Sequence, residues 1–242
     1  EALEPDPGLD PDFEFSDGTI TKYIGTATDV IIPETIDGEE VVAIGNNAFK
    51  DKGLTSVSIP DSVTTIGTAA FQGNRLTELE LPEGLTDIGN NAFNNNGLIS
   101  VKMSDSVSAI GQAAFAQNKL TEVELPEKLT SMGNMAFYQN ELTSVKINDG
   151  LEVISTAAFR KNQLTSIEIP ESVTSIAMQA FMENALETVN IPSKIKDIGT
   201  SAFENNNLGT VTIPADIVSI GNKAFDGNEN IKLVYTALVE AI

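Results

Sequence analysis

A solenoid of stacked, mostly β coils is the fold class that this sequence predicts, on three observations. Nine of its eleven phenylalanines stand 22 residues apart, from Phe49 through Phe71, Phe93, Phe115, Phe137, Phe159, Phe181 and Phe203 to Phe225. An asparagine follows three residues after each of the last eight, at Asn74, Asn96, Asn118, Asn140, Asn162, Asn184, Asn206 and Asn228. Short apolar/polar alternations of the form Leu-Thr-x-Val-x-Ile-Pro precede most of them, as at Leu54–Pro60. Self-similarity at a fixed short period marks a supersecondary unit that cannot bury its apolar face alone and must stack on its neighbours.

Along the chain, residues 1–12 combine three prolines with five carboxylates and little to bury, and read as a linker. Residues 13–53 form an N-terminal cap and a first irregular coil. Alternation around Ser16-Asp17-Gly18 predicts a hairpin that closes the open end of the stack. Residues 54–229 hold eight units of 22 residues. After Asn228 the spacing slips by one, so that Ile231 takes the leucine role, and 230–242 reads as a C-terminal cap.

Each position of the unit has a physical task. Leu54, Val57 and Ile59 supply the buried side of a half-exposed strand, and one coil per repeat stacks these strands into a parallel sheet about 4.8 Å apart. Pro60, Pro82, Pro126, Pro170, Pro192 and Pro214 end that pairing because proline lacks an N–H. A second apolar pair, such as Val63 and Ile66, returns along the other wall. Gly67, Gly89, Gly111, Gly133, Gly199 and Gly221 then permit a bend. Ala-Phe follows in a short helical or 3-10 turn, with Phe filling the interior of the coil. The recurring asparagine both donates and accepts, and is expected to bond backbone in its own coil and the adjacent one.

Composition narrows the function classes. Cys and His are absent, which removes disulfides, thiol chemistry, His-based triads and Cys/His metal sites. With 35 acidic against 14 basic residues the net charge is -21, so nucleic acid and anionic membrane surfaces are not expected partners. No run of about 18 apolar residues occurs, so membrane insertion is not expected. No Walker A, Gly-x-Gly-x-x-Gly or Gly-x-Ser-x-Gly sequence appears, and paired carboxylates on an exposed strand lack the pocket that acid/base hydrolysis needs. No enzymatic activity, cofactor or metal is expected.

Written out, the unit resembles the leucine-rich repeats of the BspA-like, or Treponema pallidum-type, family of bacterial surface proteins. Leu54–Arg75, LTSVSIPDSVTTIGTAAFQGNR, carries all three parts of that signature. Departures are local: Ser104 and Asn148 replace the proline, Ser155 and Ala177 the glycine, and Asn stands where Cys is common in the family. The resemblance implies a right-handed curved leucine-rich repeat solenoid. It also implies a secreted or cell-surface segment, monomeric, that binds a protein partner, such as a host extracellular or surface protein, in adhesion. A structural spacer, or an accessory domain of a larger extracellular protein or enzyme, is the alternative.

Two surface rows are candidate sites. Outward positions of the strand segment carry Glu78, Glu80, Lys102, Glu122, Glu124, Lys146 and Glu168, with Glu rows alternating with Lys rows. This face is the expected ligand-binding face, although opposite charges on neighbouring strands equally serve register. The turn after the strand carries Asp61, Glu83, Asp105, Glu127, Asp149 and Glu171, solvated acids or weak cation ligands.

Overall fold

The computed structural model describes residues 12–236. The expected linker lies outside the described residues apart from Asp12, whose carbonyl accepts the N–H of Ile24 at 2.8 Å. Phe13–Ser16 and Thr19–Tyr23 pair antiparallel, forming the cap hairpin. The first coil is irregular, with Asp29 pairing with Ser56, and from Ser56–Ser58 the stack follows the 22-residue period to Lys232–Tyr235. There the register stays in step, because Thr210 pairs with Lys232 and Val211 with Leu233. The expected one-residue slip is thus absorbed before the last strand. The cap expected beyond it, over 237–242, lies outside the described residues.

Each coil has three walls. The first is the predicted strand, but its strands do not join into one sheet. They hydrogen-bond in twos: Asp29–Ile31 with Ser56–Ser58, Glu78–Glu80 with Ser100–Lys102, Glu122–Glu124 with Ser144–Lys146, Ser166–Glu168 with Thr188–Asn190, and Thr210–Ile213 with Lys232–Tyr235. Burial follows the same alternation. The central residues Val30, Leu79, Val123, Ile167 and Val211 of the first strand in each pair are buried, whereas Val57, Val101, Val145, Val189 and Leu233 of the second are half-buried. The structural period of this wall is therefore two coils.

The second wall carries the longer sheets. Thr65–Ile66, Asp87–Ile88, Ala109–Ile110 and Ser131–Met132 extend a seven-stranded sheet that begins in the cap hairpin, and a four-stranded sheet runs from Val153–Ile154 to Ser219–Ile220. The glycine column belongs to this wall, and its purpose is close approach. Gly89 donates to Ile66 O at 2.7 Å. A Cβ there would fall 2.5 Å from the carbonyl carbon of Gly67 in the preceding coil, a separation no side chain tolerates. Positive φ is absent from Gly67, Gly89, Gly111, Gly133, Gly199 and Gly221, so the expected bend is not what selects glycine.

The break between the two sheets falls where Ser155 replaces that glycine. Gly133 donates to Ile110 O and Ala177 to Ile154 O. Ser155 instead sends its hydroxyl to Met132 O, and no corresponding N–H bond occurs there among the described residues. In the same coil Asn148 replaces proline. Its amide donates to Glu127 O and Leu129 O while its Oδ1 is buried without a partner. One coil, Leu142–Gln163, thus holds both departures and the discontinuity.

The third wall bears the phenylalanines and corrects the expected helical or 3-10 turn: no helix occurs among the described residues. Two residues per coil sit in the left-handed region, for example Asn91 at φ 56° and Asn95 at φ 54°, flanking Phe93. A left-handed residue cannot propagate a right-handed helix. Alternate amides point instead to the following coil: Asn91 N–H donates to Gln112 O at 2.8 Å, Phe93 to Ala114 O at 2.8 Å and Asn95 to Ala116 O at 3.0 Å.

Inside, the rings of Phe49 to Phe225 form one stacked column. Successive centroids lie 4.8 to 5.7 Å apart, and the Phe71 and Phe93 planes are only 2° from parallel. Tyr23 extends the column into the cap, 5.3 Å from Phe49, and its hydroxyl donates to Ala27 O. Burying a Phe side chain contributes roughly 1.5–3 kcal/mol, and stacked aromatic contact adds about 0.5–1.5 kcal/mol per pair. The asparagine ladder forms as expected. Asn118 Nδ2 donates to Phe93 O at 3.0 Å and Phe115 O at 3.1 Å, and Oδ1 accepts from Leu98 N–H at 3.1 Å.

Candidate binding face

The first wall presents the outward side chains because a strand alternates its side chains and the core takes the central one. Glu78, Glu80, Lys102, Glu122, Glu124, Lys146 and Glu168 are all exposed. The structure brings six of them together on two neighbouring strand pairs. Lys102 bonds Glu80, and Lys146 bonds Glu124, each across the paired strands of its own sheet. The hydrogen bond that Lys102 donates to Glu80, helped by the charge of that carboxylate, holds the Lys102 ammonium above its ordinary pKa, and Glu124 acts likewise on Lys146. Glu168 lies one pair further along, opposite Asn190, without a lysine across from it.

Between Ser100–Lys102 and Glu122–Glu124 no ladder forms, and a groove of about 630 Å³ lies over this gap and the adjoining pair Glu122–Glu124 and Ser144–Lys146. Val101, Met103, Val123 and Val145 line it beside Lys102, Asp105, Glu122, Glu124 and Lys146. The half-buried Val101 and Val145 are the part of this site that the repeat pattern does not disclose, since a valine occupies the same position in buried and half-buried coils alike. Its visible correlate is the alternation of Glu-x-Glu with Ser-x-Lys in adjacent units.

The turn acids have backbone partners. Glu83 N–H donates to Asp61 Oδ1 at 3.3 Å and Glu127 N–H to Asp105 Oδ1 at 3.4 Å. The Ser193 hydroxyl and N–H both bond Glu171, whose pKa is lowered mainly by that hydroxyl. Asp61, Asp105 and Glu171 thus tie their turns to the next coil, as Glu83 does through the Ser104 hydroxyl. Among the described residues no group of three His, Cys, Asp or Glu side chains gathers to hold a metal ion. No helix among them is long and apolar enough to cross a membrane.

Solved structures share this architecture. A leucine-rich repeat protein from Bacteroides ovatus is 25% identical, with a TM-score of 0.76 over 86% of this chain and 59% of its own. The chain therefore spans about three fifths of that protein. The T. pallidum leucine rich repeat protein is 27% identical, with a TM-score of 0.53 over 84% of this chain and 77% of its own. The pneumococcal vaccine antigen PcpA, 20% identical over 86% of this chain and 62% of its own, has a TM-score of 0.59 and shares the fold. No curated protein sequence matches the chain. The family model for the BspA type leucine rich repeat region matches residues 42–164 and 152–237, with six copies of its unit. A 22-residue unit, its stacked phenylalanines and this match together make the chain a member of the BspA-type leucine-rich repeat family.

Proposed function

We propose that this chain is a non-catalytic protein-interaction module of a secreted or cell-surface bacterial protein, serving adhesion or host attachment through its first-wall face. The observation that carries this reading is the gathering of Glu78, Glu80, Lys102, Glu122, Glu124 and Lys146 on two strand pairs separated by a groove with apolar lining. Membership of a repeat family supports it, since solenoids offer broad concave or flat surfaces for partners. The face has no Trp, Tyr or Arg anchor among the strand positions 78–80, 100–102, 122–124 and 144–146, which suits weak or multivalent attachment.

The test is a quadruple charge reversal, Glu78→Lys, Glu80→Lys, Glu122→Lys and Glu124→Lys, assayed against extracellular proteins captured by the wild-type chain. Loss of capture by a variant with an unchanged circular dichroism spectrum supports this face, and undiminished capture excludes it. A second reading, a spacer that holds other domains apart, draws on the unbroken phenylalanine column. It predicts no specific capture by the wild-type chain.

A further inference from the structure

We propose that the groove between Ser100–Lys102 and Glu122–Glu124 takes a lysine- or arginine-bearing peptide segment of the protein partner. The proposal rests on the reading of the first wall as the binding face. Its first support is shape. The sheet is split at this place, so the groove exists without any conformational change, and Val101, Met103, Val123 and Val145 offer an apolar lining against which the aliphatic stem of a long cationic side chain lies.

Charge complementarity supplies the occupant. Lys102 is already bonded to Glu80 and Lys146 to Glu124, each within its own strand pair. Glu122 and Asp105 also line the groove and enter no ion pair among the described residues. Glu78, on the strand before, is likewise outside any ion pair. Lys146 illustrates what the groove accommodates. Its ammonium sits on Glu124 and feels the charges of Glu127 and Asp105, so three carboxylates surround one cation. A partner's ammonium or guanidinium beside Glu122, or one further along the groove beside Asp105, completes that balance, whereas an acidic segment meets like charge. On a chain of net charge -21 the long-range field adds to encounter with a basic partner. The groove's mouth is rimmed by these charges, so discrimination between partners comes from charge and position more than from buried area.

The experiment uses the whole chain and two fluorescein-labelled nonapeptides, one alternating Lys with Val and one alternating Glu with Val, followed by fluorescence anisotropy. The Lys-Val peptide is expected to bind and to weaken with rising sodium chloride, and the Glu-Val peptide to leave anisotropy unchanged. Glu122→Lys is expected to weaken Lys-Val binding about tenfold, Glu122→Gln by less. Asp87→Lys makes the same charge change on the second wall, outside the groove lining, and is expected to leave affinity within about twofold because exposed charges are screened at physiological salt. Equal losses from Glu122→Lys and Asp87→Lys would reduce the effect to the overall field and overturn the proposal. Equal binding of the two peptides would overturn it too. If the Lys-Val peptide fails to bind but the quadruple reversal still abolishes partner capture, the face stands and the groove assignment falls. Failure of both removes the face itself.

Discussion

At the scale of single residues, the asparagine ladder is the feature with the largest expected leverage. Asn118 satisfies two carbonyls and one amide from two coils at a buried position. Asn118→Leu fills the space but leaves the buried Leu98 N–H without its partner, at about 1–3 kcal/mol. It also removes one of the two amide bonds at Phe93 O and at Phe115 O, which keep those from Asn96 and Asn140, at about 0.5–1.5 kcal/mol each. A loss of roughly 3 kcal/mol in urea denaturation is expected for the whole substitution. The left-handed positions work in the opposite direction. Ala113 holds φ 52°, a conformation that burdens an L side chain by roughly 1–2 kcal/mol, against a glycine entropy cost of about 0.5–1 kcal/mol. Ala113→Gly is therefore expected to raise the urea midpoint slightly. The amide role of Asn118 was readable from its period and chemistry. The αL role of Ala113 was not, because alanine is the residue least associated with that conformation and its sequence neighbours point to helix.

Among elements, the coil Leu142–Gln163 stands apart, with Asn148 in the proline column and Ser155 in the glycine column. The Ser155 amide lacks the inter-coil bond that Gly133 has at 2.7 Å. Hydrogen exchange is expected to be faster at Ser155 than at Gly133, and Ser155→Gly should slow it to the level of its neighbours. Exchange at Ser155 as slow as at Gly133 in the wild-type chain would contradict the break in the second wall. Both departures were visible in sequence as exceptions to the repeat. Their consequence was not visible, since Ala177 occupies the same column while keeping its bond to Ile154 O at 2.8 Å. The helical turn expected on the third wall failed for a related reason. Ala-Phe and polar neighbours favour local helix, but alternate amides there bond to the next coil, and inter-coil pairing overrides propensity.

For the molecule as a whole, the stack, its caps and its core column were legible because period and apolar spacing dictate which side chains must meet. The pairwise joining of first-wall strands and the groove it opens were not, because Val57, Val101 and Val145 look the same in sequence as the buried Val123. Charge governs the solution behaviour. A net charge of -21 works against compactness, so added salt at pH 7 is expected to raise the thermal midpoint by screening that repulsion. Acid has the opposite effect at the low end. Thr55 and Ser56 lower the Asp29 pKa, and Ser193 lowers that of Glu171. A carboxylate whose folded pKa is depressed contributes stability that is complete above its unfolded value and lost as pH falls through the folded one. Thermal melts between pH 6 and pH 2.5 should accordingly fall off below about pH 4, and Thr55→Val with Ser56→Ala should make that fall shallower. At the alkaline end, Lys102 and Lys146 have raised values, so their contribution is present below the ordinary lysine range and disappears as pH climbs past about 10.5.

The joining of first-wall strands in twos constrains how such an array can change length. Deleting a single unit, such as Leu98–Lys119, would bring two Glu-x-Glu coils side by side, Glu78–Glu80 against Glu122–Glu124, with no lysine between them. Deleting Leu98–Glu141 together would preserve both the pairing phase and the charge alternation. Viable insertions and losses in this array should therefore come in steps of two coils, making the coil pair, rather than the visible phenylalanine repeat, its unit of growth.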